Sequence, residues 1–188
     1  MIEYLRIRTY VLSSDGKKSL KKKRRRERRE HYKAIFKQQK NAAEIAPPVD
    51  RNALTSELDN LHEKYLMLES GKYKVFCVRA ELIPVAMQEL GRLREETFRA
   101  VGEGTGMATD IDWWDQHYRH LILWHTEDRE IIGAYRMGIS DELLEKFGRK
   151  GLYTASLYHY SDKMLDQLTP GIELGRSFIQ QKYQRSPS

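Results

Sequence analysis

Apolar residues recur at three- or four-residue spacing through Leu54, Leu58, Leu61, Tyr65 and Leu68, which predicts an amphipathic helix from Asn52 to about Ser70, closed by Gly71. The period shortens to two over Tyr73 to Arg79, where Tyr73, Val75, Phe76 and Val78 favour a first strand. Helical spacing returns from Glu81 to Val101 through Ile83, Val85, Met87, Leu90, Leu93 and Phe98, and the glycines within Gly102 to Gly106 end it. His120 to Trp124 and Glu130 to Met137 read as two strands joined by the polar connection Glu127-Asp128-Arg129. Tyr153 to Tyr160 reads as another extended segment, Asp162 to Leu168 as a short helix and Ile172 to Ile179 as the last strand. The order is helix, strand, helix, strand, strand, irregular insert, strand, an α+β arrangement without an internal repeat.

Upstream the pattern thins. Met1 to Asp15 runs into the turn-like Ser13-Ser14-Asp15-Gly16, and a helical pattern through about Lys40 offers only Tyr32, Ile35 and Phe36 as apolar points. Ala46-Pro47-Pro48-Val49-Asp50 interrupts any continuous helix, because each proline removes a backbone donor and restricts its neighbour. The expected organisation is a basic, helical or disordered arm with its linker over residues 1–50, and one folded domain over 51–188.

Charge sharpens that division. Of the net +6, Lys17 to Arg29 supplies ten basic residues and one Glu, so the rest of the chain is mildly acidic at −3. A mean hydropathy of −0.71 and 32% charged residues fit a solvated arm beside a modest core. Cys77 is the single cysteine, which excludes an intramolecular disulfide and leaves a cysteine zinc site short of ligands, as in a reducing cytoplasm. His117, His120 and His125 follow no metal-ligand spacing, so no metal is expected. No run approaches the roughly 20 apolar residues that span a bilayer.

Four groups occur in a suggestive order: Arg94 and Phe98; Asp112-Trp113-Trp114-Asp115 followed by Tyr118 and His120; Gly133-Ala134-Tyr135-Arg136 on a strand; and Glu173-Leu174-Gly175-Arg176-Ser177 on the last strand. Together they resemble the hemolysin-like, ornithine-acyl-carrier-protein N-acyltransferase branch of the GNAT acyltransferases, related to the acyl-homoserine-lactone synthases. The resemblance covers about half the chain and implies an incomplete GNAT-like mixed α/β fold that stops before its final helix and strands, leaving an unpaired edge and an uncovered apolar face. The activity it implies is transfer of a fatty acyl group from an acyl-carrier-protein or coenzyme A thioester to an amine in membrane lipid metabolism, at the cytoplasmic face of the inner membrane.

In that reading Glu173 takes an amine-orienting or base role, Arg176 pairs with charge, and Arg136 completes the catalytic group; Arg94, Phe98, Asp112 and Asp115 bind substrate. On a regular strand Glu173 and Arg176, three apart, face opposite ways, so sharing a pocket requires a bulge, for which Gly175 is the candidate. The alternatives are structural: an ion pair of these residues with Arg136, and an aspartate helix cap with two tryptophans packed on the sheet. A phosphate-binding glycine turn is expected after the last strand, and Tyr183 to Ser188 lacks the glycines. Lys17 to Arg29 is expected to dock on anionic lipid or acyl-carrier protein. Nucleic-acid binding is the weaker use of that run, since no aromatic residues are interleaved to stack bases. An inactive fragment or a homo-oligomer formed by pairing with a second copy is the remaining reading.

Overall fold

A computed structural model describes residues 42–184. The helical pattern through Lys40 and the basic run Lys17 to Arg29 lie outside them. The described residues from Ala43 onward group into a compact unit.

Five strands, β1 (Leu66–Ser70), β2 (Tyr73–Arg79), β3 (Arg119–His125), β4 (Glu130–Ile139) and β5 (Ile172–Ile179), form one antiparallel sheet in chain order. Helices α1 (Arg51–Asp59), α2 (Pro84–Ala100), α3 (Ser140–Phe147) and α4 (Asp162–Gln167) complete an α+β fold. The predicted strands at Tyr73 to Arg79 and Ile172 to Ile179 are present with those bounds, and α2 fills most of the predicted second helix.

The first predicted helix is corrected. Asp50 caps α1 by accepting from the Ala53 amide at 2.8 Å, and Leu54 and Leu58 are buried, yet the helix ends at Asp59. Leu66 and Leu68 instead belong to β1, and Gly71, at φ +56°, turns the chain back into β2. Glycine there serves a hairpin, since a positive φ is strained for any residue with a Cβ. Tyr153 to Tyr160 is also not a strand. Residues Tyr153–Ser156 form a 3-10 turn in which the Leu157 and Tyr158 amides both donate to the Thr154 carbonyl, leaving no ladder to build. Within the irregular insert, α3 went unpredicted.

Alternation divides the sheet. Phe76, Val78, Ile122, Trp124, Ala134 and Phe178 pack beneath Leu54 and Leu58 of α1 and Ile83, Ala86, Leu90 and Leu93 of α2. A second cluster of Tyr118, Leu143 and Leu152 lies under the connections around α3. Ile172, Leu174 and Ile179 of β5 are largely exposed, and β5 closes the sheet order among the described residues.

The segment that precedes β3 is strapped to α2. Gly91 has no Cβ, and one would meet Ile111 at 2.5 Å, so the Asp110 amide can reach the Gly91 carbonyl at 2.9 Å. Beside it, buried Glu95 accepts from the Thr105 amide at 2.8 Å and the Gly106 amide at 2.9 Å, tying the glycine loop to the helix. Burial alone would raise the Glu95 carboxyl, but the bonds from Thr105 and Arg99 outweigh it and hold the group low. On the same side the extended stretch 43–50 is held by the Ala46 amide to the Ala108 carbonyl at 3.0 Å.

Candidate active site

Six charged side chains form an alternating chain from the core to the surface. Arg94 of α2 donates through Nη1 to Asp115 Oδ1 at 2.6 Å, and both are fully enclosed. Arg136 of β4 lies 3.5 Å from Asp115 Oδ2 and donates to Asp112 Oδ1 at 2.5 Å. Arg176 of β5 stands 3.5 Å from Asp112 Oδ2, and its Nε 3.1 Å from Asp110 Oδ2. Exposure peaks before the last member: Arg136 is 1% accessible, the Asp112 and Arg176 side chains are 22% and 24% accessible, and Asp110 beyond them is buried again.

The local sequence explains how two aspartates do double duty. Asp112 Oδ1 accepts from the Trp114 amide at 2.9 Å and Asp115 Oδ2 from the Asp112 amide at 2.8 Å, capping the 3-10 turn Trp113–Gln116 from both directions. The cap and the ion pairs coexist, so the capping alternative and the charge network describe the same two residues. Arg136 pairs with Asp112 and Asp115, and its ion pairs do not include Glu173. Among the described residues its remaining donors Nε and Nη2 have no hydrogen-bond partner, and the guanidinium lies 5.3 Å from the Tyr118 ring and 5.1 Å from the Tyr153 ring. Two π faces thus replace the missing acceptors.

Arg176 reaches this face through a bulge. Ala134 pairs with Phe178 and Arg136 with Gly175, so Arg176 and Ser177 stand opposite the single Tyr135. Arg176 itself adopts φ +48°, a left-handed conformation that an arginine holds only against resistance. The kink resolves the parity problem: Glu173 and Arg176 both approach Tyr153. Glu173 accepts from the Tyr153 amide at 3.0 Å, the Thr154 amide at 2.7 Å and the Tyr118 hydroxyl, and Arg176 lies 5.4 Å from the Tyr153 ring. Burial and the neighbouring Glu173 push the Tyr118 phenol up.

The aspartates of this segment are driven apart. Burial would raise Asp115, but Arg94 and Arg136 hold it below the usual carboxylate range, whereas burial keeps Asp110 above it despite Arg176. His120, paired across the sheet with Arg136, is buried with Nε2 3.0 Å from the Asp115 carbonyl and Nδ1 3.3 Å from Arg94 Nη2. A ring that donates from Nε2 and accepts at Nδ1 is neutral, and burial, then Arg94, pushes it down to about 4 from 6.5. The unfolded chain therefore takes up this proton first, so stability is whole above about pH 6.5 and declines by about 3 kcal/mol towards pH 4. His120→Gln is expected to flatten that limb in urea titrations across the same range. Parallel slopes in the two proteins would remove His120 as its source.

Of the expected site residues, the structure brings together Arg94, Asp112, Asp115, Arg136, Glu173 and Arg176. Phe98 stands apart, packed against the main core. Asp110 and Tyr153 went unnoticed in the sequence. Asp110 carried a signal, because Asp-x-Asp in an extended segment puts both carboxylates on one side; Tyr153 carried none. After β5, residues Gln181–Tyr183 form a 3-10 turn in which Lys182 pairs with Glu130 at 2.5 Å and Tyr183 bonds Asp128 at 3.0 Å.

The sequence profile of the acetyltransferase (GNAT) domain matches residues 93–188, which include every member of this network. Two curated relatives, each named glycine N(alpha)-acyltransferase, are similar to the chain. The one from Bacteroides thetaiotaomicron is 38% identical over 146 residues, covering 75% of this chain and 43% of the relative. The one from Phocaeicola vulgatus is 37% identical over 147 residues, covering 75% and 44%. The chain thus spans less than half the length of the curated relatives it matches. No solved structure matches it.

Proposed function

The chain belongs to the acetyltransferase (GNAT) domain family, and on that premise we propose that it carries the acceptor side of an N-acyltransferase site moving a fatty acyl group from a thioester to the amine of a small amino acid. The observation that carries this reading is the exposed pair within the charge network. Asp112 and Arg176 stand side by side with opposite charges and partial exposure, a pattern complementary to the ammonium and carboxylate of a zwitterion. The relatives' printed names give glycine as their acceptor.

The chemistry asks little else of the protein. The acceptor ammonium first gives up one proton, the freed amine nitrogen attacks the thioester carbonyl, a C–N bond forms as the C–S bond breaks, and the second proton shed by the nitrogen ends on the departing thiolate. Arg176 holds the acceptor carboxylate, and Asp112 orients the amine and is the accessible carboxylate beside it for the first proton. Arg136, Asp115 and Arg94 fix both from behind, so no reorganisation is needed at the moment of reaction. Glu173 takes its orienting role through the Tyr153–Thr154 backbone it grips. The donor is an acyl-carrier-protein or coenzyme A thioester, with Lys17 to Arg29 as the contact to acidic carrier protein or anionic lipid and the reaction placed in membrane lipid metabolism at the cytoplasmic face. Among the described residues no helix is long and apolar enough to cross a membrane.

Thiol release from acyl-carrier-protein and coenzyme A thioesters, measured with glycine, other amino acids and simple alkylamines, tests this. Release accelerated by amino acids supports the reading. Equal release with alkylamines removes the zwitterion site, and silence with every donor removes acyl transfer.

A further inference from the structure

Beside this network lies a cavity of about 420 Å³ that the charge chemistry does not use. Its walls include Trp113, Trp114, Leu152 and Ala155, with Lys150 at the rim. Tyr153 links the cavity wall to the network: its ring meets Trp114 edge-on at 5.1 Å and lies 5.4 Å from the Arg176 guanidinium. A chain bound in the cavity therefore begins one ring away from the residue that holds the acceptor.

We propose that this cavity receives the alkyl chain of the acyl donor, an inference that rests on the acyltransferase reading above. Trp113 is 44% exposed on its wall, a large apolar surface left to water that an alkyl chain would cover. Trp114 Nε1 is buried without an acceptor among the described residues, so seating a chain breaks no protein hydrogen bond of that indole. Since a cavity of roughly 150 Å³ accommodates benzene, this volume suits a chain on the order of a dozen carbons. Lys150 is exposed and makes no ion pair among the described residues, which places a positive charge at the mouth for an anionic head or carrier phosphate. Arg149 beside it is already committed to Asp162 and the Tyr160 carbonyl.

The test separates the cavity from the reaction by using two probes. Sodium dodecanoate binding, measured by calorimetry on the full chain, reads the cavity alone; the ratio of thiol release from dodecanoyl to acetyl coenzyme A reads its use. The expected result is dodecanoate binding that weakens at least tenfold in Ala155→Phe, which fills the space, and in Trp113→Ala, which removes a partly exposed wall. The dodecanoyl-to-acetyl ratio should fall at least tenfold in the same variants. Binding and ratio unchanged in a folded variant overturn the proposal while leaving acyl transfer standing. Dodecanoate binding lost in the variants, with no thiol release from any donor, supports the cavity and discards the reaction instead. Absence of dodecanoate binding in the unaltered chain overturns the cavity outright.

Discussion

Arg94→Met is expected to cost about 3–5 kcal/mol, because it strips a buried carboxylate of its nearest partner rather than removing a surface contact. Asp115 is 1% exposed and would keep the Asp112 amide but, of its two arginines, only Arg136 at 3.5 Å, while His120 Nδ1 would lose the donor at 3.3 Å. For a domain of this size that loss is a large share of total stability and lowers Tm on the order of 10 °C or more. Asp115→Asn should cost a comparable amount, and the double substitution clearly less than their sum, since both remove one network. Thermal and urea unfolding of the three variants decide the matter. If Arg94→Met unfolds within about 2 °C of the parent and loses only activity, Arg94 is the substrate ligand that the resemblance implies, and the enclosed ion pair is energetically idle.

What the sequence disclosed followed from period. β2 and β3 alternate because one face is pressed under α1 and α2, so their hydrophobic rhythm survives in the letters, whereas β4 is buried without a break from Ile131 to Ala134 and β5 gives only Phe178 to that core while Ile172, Leu174 and Ile179 stay exposed. β1 has no such rhythm: four of its five residues are exposed, and Leu68 extends the spacing of α1 by coincidence. α3 packs Leu143, Leu144 and Phe147 on one side, but at eight residues it is shorter than the window over which a helical period stands out. The chain at the site follows a similar division. The order of the arginines and aspartates was visible, but their partners depend on which residues the register sets opposite one another. His120, Arg136 and Gly175 lie in one row across three strands, and that row brings Arg136 beneath the Asp112–Asp115 turn. The expected bulge was a condition for Glu173 and Arg176 to share a face; alternation alone would have separated them. That the left-handed residue is Arg176, with Gly175 beside it, has no signal in the sequence, because local propensity favours the reverse.

That inversion supplies the second large effect, on activity rather than stability. Arg176→Gly relaxes a left-handed backbone that costs a residue with a Cβ about 1–2 kcal/mol, and it leaves Asp110 without its 3.1 Å partner, a loss of similar size. These terms oppose, so Tm is expected to stay within a few degrees. Acyl transfer should nonetheless fall on the order of 100-fold or more if, as proposed, this charge holds the acceptor beside Asp112. Arg176→Lys keeps the charge without the planar fork, and its loss should appear mainly in KM for the amino acid. Glycine-dependent thiol release and thermal unfolding, measured on both variants, distinguish strain kept for function from strain without use. Activity preserved in Arg176→Gly would show that the bulge merely ends the strand. Activity and Tm falling together would make Arg176 a structural anchor for Asp110. Only their separation, with the fold held and transfer lost, marks a residue whose uncomfortable backbone is retained for what its side chain does at the surface of the network.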